Sequence, residues 1–162
     1  MSLNITKKKM IIAKISKINK HALSAVIADF CGVNSNNLNE LRKKSRKNDI
    51  IISIVRNKLL KLIIKNSNFQ CLEPLIKGPI LIAYSLKHPG AAARLFNEFS
   101  KLNENFKIKA AAFDNKIINS EKINLLADLP TYKEAITRFI VIIKDISIGK
   151  FIRILLAIKN IK

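Results

Sequence analysis

The 162-residue sequence has no tryptophan and only four glycines, four prolines, two cysteines and two histidines. Each scarcity removes a class of function. Loops that cradle phosphates are built from clustered glycine, and four scattered glycines supply little material for one. Cys31 and Cys71 form no Cys-x-x-Cys pair, which reads as two reduced thiols rather than a disulfide or a metal pair. His21 and His88 have no cysteine or carboxylate beside them in a ligand pattern, and neither Gly-x-Ser-x-Gly nor His-Glu-x-x-His occurs. The expected protein is therefore not an enzyme, holds no metal or cofactor and takes no small-molecule substrate. Long apolar runs are missing too. Lys14 and Lys17 interrupt the stretch after Met10, and Lys144-Asp145 interrupts the C-terminal one. Neither a signal peptide nor a membrane span is expected, which points to a cytoplasmic protein without a membrane partner.

What the chain has in excess is positive charge. It carries 30 Lys/Arg against 11 Asp/Glu, a net +19. A balance of that size implies a polyanionic partner. The excess is uneven. Residues 1–66 hold 15 basic and 3 acidic side chains, a net +12. Residues 67–130 hold 8 and 6, and residues 131–162 hold 7 and 2. The basic footprint lies in the first 66 residues, with a second excess at the C-terminal end.

Apolar spacing gives the element order. Residues 6–21 predict a basic amphipathic helix with Thr6 as cap. A strand is expected over 22–30, a helix over 34–48 with Asn37 and Glu40 at capping-box spacing, and a β-branched strand over 49–56. Asn57 is expected to cap a helix to residue 66, and a short helix follows near 71–76. Strands are expected at 80–85 and 106–113, with a short edge strand at 116–119. His88-Pro89 opens the helix between the first two, and Ala91–Ala93 give it a small-residue face. Ser120 is expected to cap a helix to Leu129. The reading is an α+β, βαββαβ-like (ferredoxin-like) domain over 1–130. Thr131 and Glu134, at capping-box spacing, then restart a helix that forms an extended arm over 131–162. Gly149 is expected to mark a bend in it.

Two basic groups are candidate phosphate contacts. Arg42 and Arg46 lie four apart on one helical face, with Lys43 beside them. A solvated helix face is the alternative reading. Arg56-Asn57-Lys58 stands where a strand passes into a helix. A helix start attracts anions, and Arg56 adds a fork that can grip one bidentately. No row of exposed aromatics is apparent, so folded RNA suits these groups better than stacked single strands.

The arm repeats an apolar phrase. Arg138-Phe139-Ile140-Val141-Ile142-Ile143-Lys144 is answered twelve positions on by Lys150-Phe151-Ile152-Arg153-Ile154-Leu155-Leu156. Ile136, Phe139, Ile140, Ile143, Phe151, Ile152, Leu155 and Ile158 are the candidate docking positions for partner helices.

Several blocks carry a resemblance: Leu23–Asp29, Glu40–Lys43, Val55–Leu60, Gly78–Tyr84, His88–Phe96, Lys109–Phe113 and Leu129–Ala135. In collinear order over the chain they resemble the bacterial large-subunit ribosomal protein L-ten family, the base of the ribosomal stalk. The resemblance implies that the N-terminal domain binds large-subunit ribosomal RNA at the GTPase-associated region, beside ribosomal protein L-eleven. It implies that the arm carries dimers of the acidic stalk protein L-seven/L-twelve, two of them for two repeats, which recruit translational GTPases. It also implies repression of the protein's own messenger RNA. The family's Arg-Asn motif maps onto Arg56 and Asn57, and its basic helix onto Arg42, Lys43 and Arg46. Cys31 stands where the family usually has Arg, and Lys58 where Thr is common. The reading kept beside it is a general nucleic-acid-binding protein, an RNA chaperone or nucleoid protein, that self-associates through its arm.

Overall fold

The computed structural model describes residues 4–65 and 67–161, apart from the side chains at 147, 148, 154, 155, 157 and 159–161. It divides into two units, Met1–Leu129 and Pro130–Lys162.

In the first unit α1 (Ile5–His21), β1 (Ser24–Asp29), α2 (Ser35–Lys47), β2 (Ile50–Ile54) and α3 (Asn57–Lys65) lead to a 3-10 turn at Gln70–Leu75. Next come β3 (Ile80–Ser85), α4 (Ala91–Leu102), β4 (Lys107–Phe113) and β5 (Lys116–Asn119). A 3-10 turn at Ser120–Lys122 and the short α5 (Ile123–Ala127) complete the unit. The strands form one sheet in the order β2-β3-β1-β4-β5, with every neighbouring pair antiparallel. The βαββαβ arrangement is present: β1 and β2 lie on either side of β3, and β4 returns to the far side of β1. β5 extends that plan through a hairpin whose Asp114 and Asn115 both take positive φ (50° and 59°), the geometry of a tight two-residue turn.

Period-two alternation divides the central strands between two cores. Val26, Ala28, Leu81, Ala83 and Ala111 face Leu41 of α2 and Ala92, Ala93, Phe96 and Phe99 of α4. Ala25, Ile27, Ile82, Tyr84, Ala110 and Ala112 face Ile15 of α1, Leu60, Ile63 and Ile64 of α3, and Leu72 of the first 3-10 turn. The sheet is thus covered on both sides, which is why β1 and β3 read as continuous apolar runs. Ala92 and Ala93 are fully buried, as the small-residue face of that helix requires.

The helix starts differ from the sequence expectations. Asn4, not Thr6, caps α1, its side chain accepting from the Ile5 amide at 2.7 Å. Asn34, not Asn37, caps α2, and Asn37 donates to the Asn103 side chain instead. The helix expected from Ser120 to Leu129 is a 3-10 turn followed by five α-helical residues.

In the second unit Thr131 caps α6 (Tyr132–Lys144) in a full capping box. The Glu134 amide donates to Thr131 Oγ1 and the Thr131 amide to Glu134 Oε2. Where a bend at Gly149 was expected, Asp145–Gly149 forms a π-helical turn that passes into α7 (Lys150–Ile161).

Candidate nucleic-acid interface and docking arm

Two groups of cations flank the edge strand β2. On α2, Leu38, Leu41 and Ser45 turn toward the sheet, which leaves Arg42, Lys43 and Arg46 exposed. The Ser45 hydroxyl donates to the Arg42 carbonyl at 2.8 Å, so its buried oxygen has a partner within the helix. Arg42 Nη1 reaches Asn39 Oδ1 at 3.4 Å.

At the other end of β2 the Arg56 carbonyl accepts from the Leu59 and Leu60 amides at 2.9 and 3.0 Å. Arg56 therefore occupies the cap position expected of Asn57. The Asn57 side chain donates across to the Gly78 carbonyl at 2.9 Å and ties the start of α3 to the turn before β3. That turn is held from a second direction, because Lys109 Nζ donates to the Lys77 carbonyl at 2.7 Å and pairs with Asp29 at 3.1 Å. Burial works to raise the Asp29 carboxyl. The Cys31 amide, Lys109 and Lys107 outweigh it and hold the group below its ordinary 3.8.

Arg56 and Lys58 are exposed, Asn57 is half-buried, and with Lys8 and Leu59 they line a hollow of about 580 Å³. Guanidinium and ammonium groups gathered at a helix start suit an anion such as a phosphate. Lys8 is the residue the sequence reading missed. Its signal was available: it lies seven positions before buried Ile15, on the side of α1 that packs inward. The two groups of cations do not merge, since α2 covers one face of the sheet and α3 the other.

In the arm, Phe139 and Phe151 are 64% and 63% exposed, and Ile136, Ile140, Ile143, Ile152 and Ile158 are exposed as well. The side chain of Leu155 lies outside the described residues. Within α6 no side chain is buried. Among the described residues no group of His, Cys, Asp and Glu is placed to hold a metal, and no helix is long and apolar enough to cross a membrane.

A family model described as Ribosomal protein L10 matches residues 3–101. The large ribosomal subunit proteins uL10 of Klebsiella pneumoniae subsp. pneumoniae, Salmonella arizonae and Salmonella newport are each 47% identical to this chain, over 100% of its length and 98% of theirs.

Proposed function

Since the chain belongs to the ribosomal protein L10 family, structural and non-enzymatic proteins of the large ribosomal subunit, we propose that it joins ribosomal RNA to the acidic stalk. The first unit grips large-subunit RNA at the GTPase-associated region, beside ribosomal protein L-eleven. Arg56, Asn57, Lys58 and Lys8 hold one stretch of backbone, and Arg42, Lys43 and Arg46 hold another. The arm anchors two dimers of L-seven/L-twelve through its two apolar phrases, and these recruit translational GTPases.

The observation that carries this reading is the contrast between the two units. The first closes two cores of its own and keeps its cations outside. The second leaves large apolar side chains exposed on a basic helix. Each fully buried Phe, Ile or Leu contributes roughly 1.5–3 kcal/mol, so a partner that covers them binds with substantial energy.

Arg56→Ala is expected to weaken binding to the matching ribosomal RNA fragment by about 1–3 kcal/mol, as loss of a charge-assisted contact. Filter binding measures it, and an unchanged affinity rejects Arg56 as a contact.

A further inference from the structure

The apolar phrase of the arm repeats at a spacing that an α-helix does not accommodate. Phe139-Ile140 answers to Phe151-Ile152, Ile146 to Ile158 and Arg138 to Lys150, always twelve apart. At 3.6 residues per turn about eleven residues complete three turns, and twelve overshoot by about 120°. On an uninterrupted helix the two faces would point in different directions.

The arm is interrupted between the copies. The Asp145 amide still reaches back to the Val141 and Ile142 carbonyls, but the Lys150 amide donates to Asp145, a five-residue step that closes a π turn. Such a turn takes in one more residue than an α turn. Absorbing one residue removes about 100° and leaves the copies within about 20° of each other. The sequence marks the same place. Apolar positions 136, 139, 140 and 143 reappear as 148, 151, 152 and 155, and the step from Ile143 to Ile148 is five. Glycine is not what forces the turn, because a Cβ at Gly149 would meet Asp145 Oδ1 and the Lys144 carbonyl at ordinary contact distances of 3.4 and 3.7 Å.

Resting on the docking role given above, we propose that the π turn is a phasing element. It lines up both apolar faces on one side of the arm, so that two copies of one acidic, helix-presenting partner sit next to each other along a single strip. Charge selects that occupant. The arm carries 7 Lys/Arg against 2 Asp/Glu, and a cation precedes each Phe. A second copy of this chain would bring like charge against like.

The test uses the full chain with Cys31→Ser, Cys71→Ser, Arg138→Cys and Lys150→Cys, spin-labelled at 138 and 150. Aligned faces place the attachment points about 16 Å apart, the rise of three turns. Deleting Ser147 turns the spacing into eleven and leaves that distance nearly unchanged, as does Gly149→Ala at the native spacing. Inserting one alanine after Ser147 rotates one label away and lengthens the distance by about 5 Å or more. A longer distance at native spacing that shortens on deletion is the signature of a continuous α-helix and overturns the proposal. Docking is read on unlabelled chains that keep Arg138 and Lys150: with purified acidic stalk dimers added, a short cross-linker joins neighbouring copies on the native and deleted arms. It joins them at least about fivefold less on the lengthened arm, while native mass spectrometry still counts two bound dimers. Equal cross-linking on the lengthened arm overturns the side-by-side arrangement. Aligned labels with no dimer bound refute the docking role and leave the alignment standing. A homo-oligomer of the chain alone overturns the occupant.

Discussion

Gly90 has no room for a side chain. A Cβ there would collide with the Leu126 carbonyl oxygen and stand 3.0 Å from the His88 ring. The obstacle is backbone of α5, which cannot swing aside as a side chain can. Gly90→Ala is expected to destabilise the first unit by about 1–3 kcal/mol, an overpacking cost read by thermal or urea denaturation. An unchanged midpoint would contradict the close approach. Asp29 makes a second prediction at this scale. Its folded pKa lies below the ordinary 3.8, so its pairing contributes stability that is complete above that value and is lost as pH falls through the folded one. Asp29→Asn should therefore cost stability at neutral pH, and the gap from the parent should close on acidification below about pH 4. A gap that widens in acid would reverse the sign. Neither residue announces itself in the sequence. Gly90 looks like any glycine before a helix, and Asp29 looks like any carboxylate ending a strand. What distinguishes them are Leu126 and Lys109, brought close only by the fold.

At the scale of elements the sequence is far more legible, because pattern survives where individual contacts do not. β1 and β3 are recognisable as apolar, partly β-branched runs, and the capping box of α6 is found as written. The helix starts at Asn37 and Asn57 differ from the expectation for one physical reason. A polar side chain near a helix start has more than one amide or carbonyl within reach, and distant chain decides among them. Asn37 goes to Asn103 and Asn57 goes to Gly78, 66 and 21 residues away. The π turn was legible only as an irregularity at Gly149, since a five-residue hydrogen bond leaves no local mark beyond the twelve-residue period. Removing residues 150–162 deletes α7 and its apolar phrase. Native mass spectrometry is expected to count one stalk dimer fewer, with RNA binding retained. Unchanged stoichiometry would refute the tandem arrangement.

Over the whole molecule, most of the net positive charge belongs to the first unit, while the arm combines a smaller excess with a run of exposed apolar side chains. The net +12 of residues 1–66 falls on α1, α2 and α3 and the turns around β2. Affinity for RNA should fall steeply with salt, because each neutralised phosphate releases counterions and contributes about −0.7 to −0.9 to the log–log slope. A flat titration would exclude phosphate recognition. The basic composition was plain from the sequence, but the separation of its cations was not. Arg42 and Arg56 are close in sequence, and only the burial of Leu41 in one core and Leu60 in the other shows that the sheet stands between their helices.

The strand order also governs how the protein comes into being. Among the described residues β2 has a ladder with β3, and β1 has ladders with β3 and β4. The first two strands to be synthesised are therefore not neighbours. A nascent chain holds both of them, along with most of its positive charge, and can zip neither until Ile80–Ser85 has emerged. Contacts so distant in sequence form slowly. Until then the half-made protein is a cationic chain with two open strands, the kind of species whose unpaired edges favour aggregation.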